Sequence, residues 1–205
     1  MPSNTLTQSD SSTAEGSSVA VDERADERRT IDACRGGDAR AFRTLVERHH
    51  RGLYALAYRM VADRGDADDL VQESFARAYR NLHEYDETYR FSTWIYRIAL
   101  NVCRDFLKSP RRRERPGPFE AALEAHGESE PGADAQLVRA DTITRVRNAV
   151  AQLPPAYREV IVLKDLQELT YEEMHAITGD PVTALKIRVV RARARLRILL
   201  EGTAT

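Results

Sequence analysis

Three sets of side chains in this 205-residue sequence have the types and spacing to bind something. The first is acidic and amidic. Asp69, Gln72, Glu73 and Arg80 recur at helical spacing, with Asp66 and Asp68 just ahead of them. Such an edge offers aligned carboxylates and an amide to a partner protein, where charge pairs set the register. The second set is aromatic. Tyr85, Tyr89 and Phe91 stand in a polar stretch, followed closely by Trp94. Rings on a loop beside a helix stack unpaired bases or cover the edge of a core, and for Phe91 the core is favoured. The third set is basic. Lys186, Arg188, Arg191, Arg193, Arg195 and Arg197 run along one stretch with no acid from Pro181 to Leu200. Cations on a helix suit phosphates and the guanine edge. Catalytic chemistry has no comparable set: there is no Gly-rich phosphate loop, metal-spaced cluster or nucleophile constellation. His49 and His50 are adjacent, so they point to different helix faces and make no i, i+4 metal pair. Glu172 and Glu173 diverge in the same way. No metal, no cofactor and no enzymatic activity are expected.

Each set needs a rigid mount. Leu70, Val71, Phe75, Ala78 and Tyr79 give the first set an apolar face, and Asp66, Asp68 and Asp69 complement a helix N-terminus. A helix is predicted from about Glu27, with Ile31 and Cys34 inward, and Gly36-Gly37 ends it. Asp38 caps a longer helix on which Phe42, Leu45, Val46, Leu53, Leu56, Met60 and Val61 share a side. Asp63 to Asp66 make the next break. Ser92 is the expected cap of a helix with Trp94, Ile95, Ile98, Ala99, Val102, Phe106 and Leu107 inward. On that helix Tyr96, Arg97, Asn101, Arg104 and Lys108 face out, and Ser109-Pro110 stops it.

Arg111, Arg112, Arg113 and Arg115 suit a phosphate backbone and a helix C-terminal dipole equally well. The Pro- and Gly-bearing stretch 110–136 reads as a flexible linker, interrupted by a short helix near 119–125. A second helical block then begins. Val138, Ile143, Val146, Val150 and Leu153 lead to Pro154-Pro155, and Tyr157, Val160, Ile161 and Leu163 continue inward. Thr170 and Glu173 form a capping-box pattern before a short helix. The turn Thr178-Gly179-Asp180 and Pro181 lead into a last helix whose inner face is Val182, Leu185, Val189, Ala192, Leu196 and Leu199. Two helices joined by a short Gly-containing turn make a helix-turn-helix.

The fold class is therefore all-α: two helical domains joined by a flexible linker, the C-terminal one containing a helix-turn-helix. Residues 1–26 read as a disordered tail, 27–109 and 137–202 as the domains, and 110–136 as the linker. Charged residues are 31% and the formal net charge is -1, so only their distribution bears on nucleic acid. Cys34 and Cys103 form neither zinc spacing nor a disulfide framework, which points to a reduced, cytoplasmic chain. A free cysteine is more often a small buried hydrophobe than a redox sensor. No apolar run approaches a membrane span, so no membrane insertion is expected.

The order D-x-x-D-L-V-Q-E-x-F, F-x-T-W-I-Y-R-I-A-x-N, L-P-x-x-x-R-E-V and L-T-Y-E-E resembles bacterial sigma factors of the extracytoplasmic-function (ECF) type over roughly residues 28–200. The resemblance implies a transcription initiation factor that binds core RNA polymerase through its largest subunits and melts promoter DNA. It assigns Asp66, Asp69, Leu70, Gln72 and Glu73 to the polymerase contact. It assigns Tyr85, Tyr89, Phe91, Trp94, Arg97, Asn101 and Arg104 to the minus-ten element. Thr183, Lys186, Ile187, Arg188, Val190 and Arg191 fall to the minus-thirty-five element. It also implies an anti-sigma factor, a monomer when free, and no appended sensory domain after Thr205. The sequence departs from the family pattern at Thr183-Ala184, where Gly-Thr is usual, and at Ile187, where serine is usual. Asp180 stands where an apolar residue is common. A free-standing DNA-binding regulator is the competing reading, but it has no reason to carry the 66–75 and 91–101 motifs.

Overall fold

Asp38 starts the helix on which the first unit is built. Its carboxylate accepts the Arg40 N–H at 2.8 Å, and α2 (Ala39–Val61) follows. The expected stripe is real: Leu45, Leu53, Leu56, Met60 and Val61 are buried, with Phe42 and Val46 packed at its margin. Around it lie α1 (Ser12–Arg35), α3 (Arg64–Arg80) and α4 (Phe91–Lys108), with a 3₁₀ turn Leu82–Glu84 before α4. The structure, a computed structural model, describes the backbone of residues 12–109 and 134–202 and the side chains of residues 24–109 and 142–202. The Arg111–Arg115 cluster, the expected short helix near 119–125 and the Val138 side chain lie outside these.

α5 (Asp134–Gln152) opens the second unit, and α6 (Pro155–Ile161) follows with proline in its first turn. A π-helical turn, Val162–Leu166, extends α6. Beyond its cap at Gln167, Glu168 takes a left-handed φ of 58°, and the Leu169 N–H reaches back to the Leu163 carbonyl at 3.1 Å. Then come α7 (Tyr171–Thr178) and α8 (Val182–Gly202). The capping box forms as expected: the Glu173 N–H donates to Thr170 Oγ1 at 3.2 Å, and the Thr170 N–H to Glu173 Oε2 at 2.8 Å. Gly179 closes α7 at φ 78°, a conformation that glycine adopts without strain. α8 packs on α6 and α7 through Leu185, Val189 and Ala192, completing the helix-turn-helix. Among the described residues there is no strand, and no helix is long and apolar enough to cross a membrane.

Four expectations need correction. The first helix begins at Ser12 rather than near Glu27. The stretch 14–29 is rich in Ala, Glu and Arg, which propagate a helix cheaply once the packed turns around Ile31 have nucleated it. Ser92 lies inside α4, not at its cap. The helix starts at Phe91, whose N–H reaches the Glu27 carboxylate of α1 at 3.4 Å, so the cap comes from another element. Tyr79 is 48% exposed, its ring edge-on to Phe42 at 4.9 Å. Ile143 is likewise exposed, whereas Leu100, not expected inward, is fully buried. The two units also touch, a point on which the sequence is silent: α2 contacts α5, α6 and the π turn, and α4 contacts α7.

The capping box gives a stability test. Thr170→Ala removes one side-chain acceptor from the α7 N-terminus and should cost about 1 kcal/mol, while Thr170→Ser should cost a few tenths at most. Urea denaturation measures both, and equal stability of Thr170→Ala and the parent chain would contradict the cap's role.

Candidate nucleic-acid interface

The first surface lies on α3. Asp63 accepts the Asp66 N–H at 2.8 Å and fixes where the helix starts, hence which side chains face out. Asp69 and Gln72 are exposed, and Glu73 is half-exposed. Glu73 accepts from Arg77 Nε at 2.7 Å and lies 3.5 Å from Arg80. The Arg77 guanidinium holds the Glu73 carboxyl below its ordinary range. Arg77 also lies 3.5 Å from Asp105 of α4, which ties the edge to the next helix. Asp66 does not belong to this edge. Asp66, Leu70, Ser74 and Ala78 form one i, i+4 row, and all four are buried. Leu70 is therefore a core residue, and the outward set reduces to Asp69, Gln72 and Glu73.

The second surface is the loop before α4 and α4 itself. Tyr85 is only 6% exposed, packed against Phe91 at 5.7 Å and Trp94 at 5.3 Å. Its hydroxyl donates to the Tyr89 carbonyl at 2.6 Å, and burial pushes its pKa up to about 12. Phe91 is fully buried, with His49 5.2 Å from its ring. Tyr89, at 52% exposure, is the open ring of this loop, and Trp94 on α4 is half-buried. Tyr85 and Phe91 thus shape the loop from beneath and do not present stacking faces. Arg35 braces the loop, donating to the Tyr85 carbonyl at 2.7 Å and to Glu87 at 2.8 Å. A cleft of about 520 Å³ opens between the loop and α1, lined by Arg24, Arg28, Ile31, Glu87, Tyr89 and Arg90 among others.

On α4, Arg97 and Asn101 are exposed. Arg104 is not open. Its Nε and Nη2 donate to both carboxylate oxygens of Glu159 at 2.8 and 2.7 Å, and its Nη1 lies 3.3 Å from Asn101 Oδ1.

The third surface is α8. Thr183, Lys186 and Arg191 are exposed, with Ile187 at 55% and Val190 at 67% between them. Burial of Leu185, Val189 and Ala192 on the opposite face turns these five outward together. The expectation of cations without counter-ions does not hold. Arg188 Nη1 donates to Asp180 Oδ2 at 2.5 Å, and Arg193 pairs with Asp165. Both acids lie outside α8, in the turn before it and in the π turn, so inspection of the helix sequence alone missed them. Lys186 also stands 5.6 Å over the Tyr171 ring.

Two buried charged residues escaped the sequence reading. Arg158 donates to the Met60 carbonyl of α2 at 2.5 Å and to the Ala151 and Leu153 carbonyls at the end of α5. Glu159 beside it holds Arg104. Their only signal was the R-E pair within L-P-x-x-x-R-E-V, which says nothing of a partner across the molecule.

Comparison with known proteins follows the same division. Sigma-70 region 2 matches residues 45–113, and sigma-70 region 4 matches residues 143–196. The chain is 34% identical to the ECF RNA polymerase sigma factor SigW of Bacillus subtilis over 180 residues, covering 83% of this chain and 94% of that protein. It is 34% identical to the ECF RNA polymerase sigma-E factor of Escherichia coli (strain K12) over 170 residues, covering 80% and 88%. A solved structure of CnrH in complex with the cytosolic domain of CnrY superposes with a TM-score of 0.63 at 31% identity, covering 86% of this chain and 98% of that one. The sigma factor RpoE of Bartonella quintana, solved with the anti-sigma factor NepR, shares the fold at a TM-score of 0.56 and 24% identity, covering 78% and 96%.

The α1–α4 joint yields a pH prediction. Glu27 faces His49 at 3.6 Å and the Phe91 N–H, and these hold its carboxyl below the ordinary glutamate value, His49 contributing most. A depressed carboxyl contributes stability above its unfolded pKa and loses it as pH falls through the folded one. Glu27→Gln should therefore cost roughly 1–2 kcal/mol at pH 7. The gap to the parent chain should close as pH drops below about 4.5. Denaturant titrations from pH 7 to 4 measure it, and a gap that stays constant with pH would refute the assignment.

Proposed function

Because the chain belongs to the ECF RNA polymerase sigma factors, we propose that its three outward surfaces divide promoter recognition among them. Membership makes it a transcription initiation factor that works with RNA polymerase. In this reading Asp69, Gln72 and Glu73 grip core polymerase, their charges setting the register of the contact. Tyr89, Trp94, Arg97 and Asn101 meet the minus-ten element, where stacking offsets the few kcal/mol that unstacking a base costs. Lys186, Ile187, Val190 and Arg191 enter the major groove at the minus-thirty-five element. The chain itself catalyses no reaction.

The observation that carries this reading is the α8 face. On the second helix of a helix-turn-helix, two cations flank two exposed apolar side chains while the opposite face is buried. Solvent alone gives no reason to expose Ile187 and Val190, whereas a thymine methyl does. An anti-sigma factor is the regulatory partner we propose, since the solved relatives include RpoE bound to the anti-sigma factor NepR. The working form in this scheme is a cytoplasmic monomer with domains at 27–109 and 137–202.

Run-off transcription with bacterial core polymerase on a genomic fragment library, with RNA 5′ ends mapped, tests the proposal. New start sites sharing a two-block upstream motif are expected. If none appear while the chain alone shifts duplex DNA, the free-standing regulator replaces this reading. Asp69→Arg should weaken core binding about tenfold or more without changing the melting temperature, because like-charge juxtaposition at an interface costs several kcal/mol. Ile187→Ser should alter preference within the upstream block only, and an unchanged preference there would remove the thymine contact.

A further inference from the structure

The loop that presents Tyr89 is short, and most of its attachments come from α1. Its own turn is closed locally. Asp86 accepts from the Thr88 N–H at 2.9 Å and from the Thr88 hydroxyl at 2.7 Å, and the Tyr89 N–H reaches the Asp86 carbonyl at 3.2 Å. Such an Asx turn keeps its own shape, so its attachments decide where Tyr89 stands. Three of them reach over from α1. Arg35 bridges the start and the middle of the loop with one guanidinium, donating to the Tyr85 carbonyl at 2.7 Å and to Glu87 Oε1 at 2.8 Å. Arg28 holds the other Glu87 oxygen at 2.6 Å. Glu27 takes the Phe91 N–H at the loop's end. The fourth attachment is buried Tyr85, whose hydroxyl donates to the Tyr89 carbonyl at 2.6 Å. Stability of the whole chain is a poor reason for this arrangement. The Arg35 and Glu87 side chains are 31% and 32% exposed, and ion pairs so open to water add little to it. Their effect on binding is larger, because a loop that must be ordered before it binds loses affinity in proportion to the time it spends out of place.

We propose that α1 is a clasp for this loop and that Arg35 is a positioning residue for Tyr89, holding its ring where it stacks an unpaired base of single-stranded DNA. The proposal rests on reading Tyr89 as facing the minus-ten strand. Arg35 acts through the Tyr85 carbonyl and Glu87, not on the DNA. Tyr85 completes the clasp from beneath, its ring anchored against Phe91 and Trp94 while its hydroxyl holds the Tyr89 carbonyl. Preordering of this kind raises affinity by removing a cost of binding, without adding a contact.

The test uses the full chain bound to core polymerase and a single-stranded oligonucleotide copying the minus-ten block of a promoter found by start-site mapping. Arg35→Ala should bind the oligonucleotide about five- to tenfold more weakly, following the fraction of loop left in place. Tyr85→Phe keeps the ring, removes the hydroxyl and should weaken binding in the same direction. Affinity for core should stay parental in both. Coupling separates positioning from general structure: in a Tyr89→Ala background, Arg35→Ala should cause no further loss. In the free chain, hydrogen exchange of the 86–90 amides should quicken in Arg35→Ala while the buried turns of α2 and α4 keep their protection. Parental oligonucleotide affinity in Arg35→Ala, or a loss that simply adds to that of Tyr89→Ala, overturns the positioning role, and unaltered exchange in the loop overturns the clasp. If Tyr89→Ala alone leaves the affinity unchanged, the minus-ten reading of the loop falls and the positioning role falls with it. A Tyr89 effect without an Arg35 effect removes the clasp alone.

Discussion

Helix α2 carries a buried stripe from Leu45 to Val61 on which every other helix of the first unit packs, and the rest of the molecule is arranged by that fact. Leu45, Leu53, Leu56, Ala57, Met60 and Val61 are buried along it, with α1, α3 and α4 around it and the second unit against its C-terminal half. Each helix laid on α2 has to turn one face in, and its opposite face becomes a surface. On α3 the inward row is Asp66, Leu70, Ser74 and Ala78, which leaves Asp69, Gln72 and Glu73 outside. On α4 the inward residues Phe91, Ile95, Ala99, Val102 and Cys103 leave Arg97 and Asn101 outside. Gly52 shows how close the packing is: a Cβ there would meet the Tyr96 hydroxyl at 2.4 Å. The polar surfaces are held in place by burial on their reverse sides.

Helix ends are where the elements are joined to one another. The first N–H groups and last carbonyls of a helix have no partner within it. Here several find one across the molecule. Glu27 of α1 reaches the start of α4. Arg158 of α6 reaches the last turns of α2 and α5 together, placing a cation at two negative helix ends. A buried guanidinium is costly unless its donors are used, and carbonyls from two converging helices use them. This one side chain therefore joins completion of the second unit to its seat on the first.

The sequence made local structure legible wherever the cause was local. Asp38, Asp63, the Thr170–Glu173 box and Gly179 all act where their types say they should. The inward stripe of α2 and the inner face of α8 follow from 3.6-residue spacing. What the sequence did not make legible depends on neighbours distant in the chain. Ser92 looked like a cap, but Glu27 from α1 serves α4 instead. The family resemblance set Asp66 with the polar edge, yet its helical row is the buried one. Tyr85 and Tyr89 are both loop tyrosines by sequence, and only packing against Phe91 and Trp94 separates a buried brace from an open ring. The Arg104–Glu159 pair spans 55 residues and two units, a separation at which no pattern in one sequence signals contact.

The same limit explains why α8 carries less open charge than its sequence suggests, and why that bears on recognition. Asp180 precedes the helix, and its carboxylate holds Arg188 at 2.5 Å. An arginine so held must leave that carboxylate before it can fork to a guanine, which opposes its use in base readout. Arg193 is likewise engaged, by Asp165. Lys186 and Arg191 remain exposed beside Ile187 and Val190. Lysine contributes mainly as a point charge, whereas arginine brings a planar fork. If α8 enters a major groove as proposed, the exposed planar fork there is that of Arg191, with Lys186 a point charge beside it. Asp180 thus withdraws one arginine from the open face of α8.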